Sequence, residues 1–549
     1  MLAKIPDERR QWIDGKIASM SLEAKVAQVI GMHFAERSID EVAELIEQYE
    51  PGSILGGGGG KDQEGSARIR EVFADYNRRH EIPIVLAGDC ESGAGIKGAS
   101  TSFPWVMAVG AADSEELAYE MGLATGVEGR AFGIQWTYSP VVDLDINRNP
   151  MCLTRCFGQD PRHVARLARA FIRGCQEDGN MACAAKHFPG DGVDERDAHV
   201  ITPINPMSLD EWMKTYGCVY REVIEEGVMS IMIGHLALPA VDAGAGGYLD
   251  PPPATASRKI MTDLLRGELG FEGLIVTDAI DMIGYAARLP KARRAVTTLA
   301  AGADIALRCE VRDFEWVKQA VESGEIPEAQ LDASVRRVLE MKARLGLFDD
   351  KPLPDAAGMK ERFETASRAI SDQSVCVLRD ETGVLPVELS PGAKVLTIDL
   401  QFAGRLRGRV QGLSEVVAAL EQRGHEVTHM VSPVHGDFDV IPVLDRHEAV
   451  FVNFHIPPRY GTVRMHSEII DALWNAWWLD HGKVVFTTFG NPYTLWELPW
   501  MPNCVATFSN NANSQRAAVK VWLGEASPQG KCPVRLEGFF DMQVGDRSG

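Results

Sequence analysis

The sequence predicts an α/β chain with an N-terminal (β/α)8 TIM-like barrel followed by a C-terminal α/β sandwich domain, and three observations lead there. Up to about residue 350, short β-branched or apolar runs alternate with longer helical stretches, the pattern of parallel β/α units. Several of those runs stop abruptly at polar residues, as barrel strands do when they deliver side chains to a C-terminal rim. The 549 residues exceed what one core usually fills, and a 45% hydrophobic content supplies apolar surface for two.

The strand ends come first. The run at 82–87 leads to Gly88 and Asp89, that at 181–185 to Lys186 and His187, and that at 228–233 to Gly234 and His235. Leu-Ile-Val-Thr at 274–277 stops at Asp278, as a strand carrying a nucleophilic carboxylate would. Helical periodicity marks 66–80, 114–132, 161–178, 208–226, 257–269, 291–301 and 332–345, several opening on Ser or Asp as caps. Pro, Gly and charge without periodicity at 349–358 mark a linker. The expected division is therefore a barrel over 1–350, a linker over 351–370 and a sandwich over 371–549. In the last part, strands at 374–378, 394–400, 449–454, 483–489 and 504–509 alternate with amphipathic stretches at 413–423 and 465–479, which predicts a largely parallel sheet.

Composition narrows the function classes. A formal charge of -21, from 77 acidic and 56 basic residues, repels a polyphosphate backbone and an anionic bilayer alike, so neither nucleic acid nor membrane is an expected partner. The N-terminus turns charged at once and lacks the apolar core of a secretory signal, so the expected location is cytoplasmic. The longest apolar stretch, about 227–241, carries His235 and Pro239 and falls short of the ~20 residues that span a bilayer. Without a secretory signal, the ten cysteines read as reduced core residues. Cys152 and Cys156 are spaced like a ligand pair, but no second pair or convergent His accompanies them, so no metal is expected. The glycine run at 56–60 lacks the Gly-Lys-Ser/Thr of a phosphate loop, since Lys61 is followed by Asp-Gln-Glu, and reads as a rim loop. Trp474, Trp477 and Trp478 offer a sugar-stacking platform, but their helical spacing favours packing.

The densest chemistry lies at 186–199, where every residue except Phe188, Val193 and Ala198 is ionisable, Gly or Pro. No hydrophobic core is built this way. Asp197 and His199 are two apart, so in an extended loop they project to one side, and the carboxylate can accept from the imidazole as an acid/base dyad.

Lys-His-Phe-Pro-Gly at 186–190, then Asp-Ala-His at 197–199, then Thr-Asp at 277–278, resemble glycoside hydrolase family 3, closest to its β-N-acetylglucosaminidase branch. Gly-Asp-Cys-Glu at 88–91, Ser-Pro-Val-Val-Asp-Leu at 139–144, Arg-Cys-Phe-Gly-Gln-Asp-Pro at 155–161, Ile-Gly-His-Leu at 233–236 and Phe-Gly-Asn-Pro-Tyr at 489–493 match in the same order, over nearly the whole chain. The resemblance implies a retaining, exo-acting β-glycosidase that forms a covalent glycosyl-enzyme on Asp278. It assigns acid/base work to His199, held by Asp197, and glycone binding to Asp89, Arg155, Lys186 and His187, with His235 at another strand end supporting them or meeting substrate. A small soluble β-glycoside is the implied substrate, and no cofactor is implied.

The chain departs from the branch at Asp191, where a His is usual; at Ala94 and Lys97, near which Arg residues are usual; at Ala198, in place of Ser; and at Ala279, in place of Asp. The extra carboxylate of Asp191 is expected to alter recognition near the glycone. These departures leave room for a β-glucosidase whose acid lies in the second domain, and a neutral imidazole, which repels inorganic phosphate less than a carboxylate would, leaves room for a β-glycoside phosphorylase. A non-enzymatic carbohydrate-binding or sensing protein is the contrasting class, and it has no use for a nucleophile.

Overall fold

The computed structural model describes residues 4–34, 37–57, 62–245, 250–349, 352–401, 412–431, 445–455 and 483–536. The helical stretch at 465–479, with Trp474, Trp477 and Trp478, and most of the glycine run lie outside the described residues.

Eight parallel strands form the first sheet: β1 (Ile30–His33), β2 (Ser53–Gly57), β3 (Val85–Gly88), β4 (Trp136–Thr137), β5 (Ala182–Phe188), β6 (Ser230–Ile233), β7 (Leu274–Thr277) and β8 (Ala306–Leu307). Their order is β7-β6-β5-β4-β3-β2-β1-β8, and the parallel bridge Val276 to Ile305 closes the ring. Inside it, Val85, Ala87, Trp136, Tyr138, Ala182, Ala184, Met232, Val276 and Leu307 form a separate apolar cluster, so the barrel is packed rather than open. Val338, Met341 and Leu345, from helix Glu328–Arg344 and the residue after it, join that cluster and seal one end.

The helices follow the expected order with local changes. The stretch at 208–226 breaks at Thr215 into Leu209–Lys214 and Tyr216–Glu226, the first opened by a Ser208/Glu211 capping box. The stretch at 257–269 winds as a π-helix, Lys259–Glu268. Most of the expected linker at 351–370 is instead helix Ala356–Ser374, which opens on the Asp355 side chain. Phe363, Ala366 and Ile370 bury its inner stripe, and that apolar spacing outweighs the Pro, Gly and charge at its start.

The second sheet runs β11-β10-β12-β13-β14-β9. Its strands are β9 (Cys376–Asp380), β10 (Lys394–Gln401), β11 (Glu426–Val431), β12 (Ala449–His455), β13 (Val484–Thr488) and β14 (Asn503–Ala506). All pairs are parallel except β14 with β9, so a largely parallel sheet with one antiparallel edge results. It is tied to the barrel at several points. Tyr493 Oη donates to the Asp145 carbonyl at 3.3 Å, Gln159 N–H to the Pro533 carbonyl at 3.1 Å, and Lys531 N–H to the Ala111 carbonyl at 2.9 Å. The Arg148 guanidinium lies 3.6 Å from the Trp496 ring centroid.

Candidate active site

Asp278 follows β7 directly, and its N–H bonds the Ile233 carbonyl of β6 at 2.8 Å, which fixes the backbone that presents the carboxylate. Oδ1 accepts the Ala279 N–H at 2.7 Å, while Oδ2 faces His187 Nε2 at 3.9 Å. Burial alone pushes this carboxyl up. His187, His235, the Ala279 N–H and Lys186 together outweigh it, so the group lies below the usual carboxylate range and is ionised at neutral pH.

His187 stands at the end of β5 with Nδ1 2.6 Å from Asp143 Oδ2. A carboxylate can only accept, so Nδ1 carries hydrogen and Nε2 is the nitrogen turned to Asp278. Asp143 is fully buried and also accepts the N–H groups of His187 at 3.0 Å and Asp191 at 2.8 Å.

Beside this pair runs a chain of charges. Lys186 Nζ reaches Asp89 Oδ1 at 3.1 Å and Glu91 Oε1 at 2.8 Å. Glu91 holds Arg155 through both carboxylate oxygens, at 2.8 and 2.6 Å, a bidentate pair of the strong kind. Burial would raise the Glu91 carboxyl, but Arg155 and Lys186 hold it far below its ordinary value. The Asp89 side chain remains mostly exposed, so a carboxylate stands open at the mouth with a buried ammonium behind it.

Arg155 Nη1 donates to the Met151 carbonyl at 2.8 Å, and Met151 Sδ lies 3.0 Å from His199 Nδ1. That nitrogen is also 2.9 Å from Asp197 Oδ1, which accepts the His199 N–H at 2.8 Å as well. The loop is stitched to the one after β7, since Ile283 N–H bonds the His199 carbonyl at 3.2 Å. Asp278, His187, Lys186, Asp89, Arg155, Asp197 and His199 thus belong to one continuous set of contacts around the rim.

His235 does not share in it as a ligand-facing group. It is fully buried, with Nε2 donating to the Ala279 carbonyl at 2.8 Å and Nδ1 accepting from Thr255 Oγ1 at 2.9 Å. Both nitrogens are engaged and the ring stacks on Tyr285, so the imidazole braces the segment after Asp278 instead of reaching substrate. Asp191 is likewise buried and engaged within the protein. Its Oδ1 accepts from Asn149 Nδ2 at 2.9 Å and from the Gly192 N–H at 2.8 Å, and burial together with Asp143 pushes its carboxyl well up. Ala94 is buried, Lys97 exposed and Ala198 buried.

Asp143 and Glu91 carry roles the motif reading passed over, although both stand inside quoted motifs. Asp143 stands within the apolar run Pro-Val-Val-Asp-Leu, where a charge is costly unless paired, and that was the available signal; Glu91, in Gly-Asp-Cys-Glu-Ser-Gly, gave none of this kind. Tyr138 is a further addition. Its hydroxyl is buried with no partner among the described residues, and burial and the Asp89 and Asp278 carboxylates hold it well above its ordinary value.

A closed parallel barrel with carboxylates and imidazoles gathered on its rim, joined to a mixed α/β sheet, defines a glycosidase of the barrel-plus-sandwich class. Residues 21–341 match the Glycosyl hydrolase family 3 N terminal domain. A beta-N-acetylglucosaminidase/beta-glucosidase from Cellulomonas fimi is 33% identical over 549 aligned residues, covering 96% of each chain. A beta-hexosaminidase of Pseudomonas aeruginosa (strain LESB58) is 34% identical over 252 residues, 45% of this chain and 73% of its own length. Among solved structures, a beta-glucoside phosphorylase, BglX, superposes with TM-score 0.86 at 26% identity over 98% of both chains. A family 3 beta-N-acetylglucosaminidase from Paenibacillus sp. str. FPU-7 gives 0.82 at 26% identity, over 95% of this chain and 100% of that one. The chain belongs to glycoside hydrolase family 3.

Proposed function

We propose that the chain is a retaining, exo-acting β-glycosidase that cleaves β-N-acetylglucosaminides, with Asp278 as nucleophile and the His199/Asp197 pair as acid/base. The observation that carries this reading is the placement of an ionised carboxylate at the end of β7 on the same rim as a carboxylate-held imidazole. Asp278 Oδ2 attacks the anomeric carbon as the bond to the leaving oxygen breaks, and His199 Nε2 protonates that oxygen. Water then attacks the glycosyl-enzyme, gives its proton to His199 and frees Asp278 with net retention. Asp197 keeps the proton of Nδ1 in place and stabilises the imidazolium. Asp89, Lys186, Arg155 and His187 hold the glycone hydroxyls by charge-assisted hydrogen bonds.

The names of the Cellulomonas and Paenibacillus relatives support the glycone, as does the dyad itself. No described helix is long and apolar enough to cross a membrane. A second reading, phosphorolysis, is favoured by the likeness to the phosphorylase and by chemistry: an imidazole carries no negative charge in either protonation state, so it repels phosphate less than a carboxylate acid/base would.

Initial rates on p-nitrophenyl β-GlcNAc and β-glucoside, with and without phosphate, test these readings. The expected result is GlcNAc preference, retained anomeric configuration and loss of turnover in Asp278→Ala. Wild-type rates in that variant would overturn the assignment, and phosphate-dependent release of a sugar 1-phosphate would establish the second reading.

A further inference from the structure

We propose that the aglycone this site accepts is apolar, an alkyl or aryl group seated on Val200, Ile201 and Ile283. The inference rests on His199 being the group that protonates the leaving oxygen, because the leaving group must then emerge beside His199. What stands there is aliphatic: Val200 is 56% exposed, Ile201 43% and Ile283 56%. Among the described residues nine large apolar side chains are more than a third exposed, and three of them sit on the two segments that follow the proposed acid and nucleophile. Exposed apolar surface gathered beside a polar site marks a place where something apolar is covered.

The patch is built, not loose. Val200 and Ile201 N–H groups both bond the Asp197 carbonyl, at 2.9 and 3.0 Å, in a turn that also presents His199. Ile283 N–H bonds the His199 carbonyl at 3.2 Å, and Thr202 Oγ1 bonds the Gly284 carbonyl at 2.7 Å. Gly284 packs so closely that a Cβ there would stand 2.3 Å from the Ala198 carbonyl oxygen and 2.6 Å from that of Ile201. All three apolar side chains are β-branched and stiff at χ1, so little freedom is lost when a ligand covers them.

A sugar in this position would need donors, acceptors or an aromatic face. Several polar groups on the two segments are engaged with protein partners: Asp281 with Arg308 at 2.9 Å, Asp194 with Arg196, and Arg288 with Asp250 and Thr202. An aliphatic ledge answers to an apolar leaving group.

The test compares kcat/KM for methyl and octyl β-glycosides of the preferred glycone, whose alcohols have similar acidity, so that their ratio reads contact and not chemistry. Wild type should prefer octyl by about tenfold, equal to about 1.4 kcal/mol, the burial of roughly 60 Å² of apolar surface. In Val200→Ser/Ile201→Thr/Ile283→Thr the ratio should fall to about two. The single variant Ile283→Thr, expected in between, serves if the triple variant fails to fold by circular dichroism. A ratio near one in wild type, or a ratio the variants leave unchanged, overturns the inference. Wild-type turnover of the corresponding β-glycosyl fluoride, which has no aglycone, separates the two levels: turnover with a flat alkyl ratio sinks only the apolar seat, while no turnover of any glycoside sinks the proposed function with it.

Discussion

His187 Nδ1 lies 2.6 Å from the buried carboxylate of Asp143, and that contact decides which face of the imidazole meets Asp278. The pairing orients a ring whose other nitrogen is 3.9 Å from Asp278 Oδ2. Replacing Asp143 by Asn keeps the shape but offers a donor where only an acceptor orients the ring. We expect Asp143→Asn to lower kcat/KM by about 10²-fold or more, by analogy with the wrong-tautomer effect in triads. Steady-state kinetics on a variant verified as folded checks this.

The ionised state of Asp278 predicts the acid side of the pH profile. Burial raises its carboxyl and His187 leads the groups that lower it, with a net lowering. A nucleophile with a depressed pKa stays active as pH falls, until that lowered pKa is crossed. In His187→Gln one lowering influence is gone, so the acid limb of kcat/KM should move to higher pH. A limb that stays in place would detach His187 from Asp278.

Glu91→Gln should act on stability and binding together. Glu91 compensates two cations, Arg155 and the nearly buried Lys186. Removing one partner of a buried pair leaves charge uncompensated and typically costs about 3–5 kcal/mol. We expect a loss near the lower end of that range by denaturant unfolding, because Lys186 keeps Asp89, and a raised KM from a displaced Arg155.

Lys342 gives a pH-dependent stability far from the site. It is fully buried, donates to Gln28 Oε1 at 2.6 Å and is pushed down to about 7 by burial. Between that value and its ordinary value of 10.5 the unfolded chain binds more protons, so stability rises with pH across this window. Lys342→Met should remove that slope and stabilise the protein by about 2–4 kcal/mol at pH 6, a gain that shrinks towards pH 10, at about 1.4 kcal/mol per pKa unit. Chemical denaturation at several pH values measures it.

The barrel was legible because β5, β6 and β7 are apolar runs with polar ends, and Asp278 and Lys186 fall where those runs stop. Strands β4 and β8 are two residues each, too short to leave a period. Position at a strand end does not say which way a side chain turns, and so His235, read like His187, lies instead against Thr255 and Ala279. Asp191 was visible as a departure, but its burial depends on Asn149, distant in sequence. Asp143 and Glu91 were invisible as partners because each meets its cation or imidazole across more than forty residues of chain.

The ties between Gln159 and the chain near Pro533 have a temporal consequence. Gln159 N–H bonds the Pro533 carbonyl, its Oε1 receives the Arg535 N–H at 2.9 Å, and a Cβ on Gly158 would strike Pro533. The segment so clamped is the one that carries Met151 and Arg155. On the ribosome, every strand of the barrel is made more than two hundred residues before this clamp, so the nascent barrel waits with one rim segment unfastened until residues 533–535 have been added.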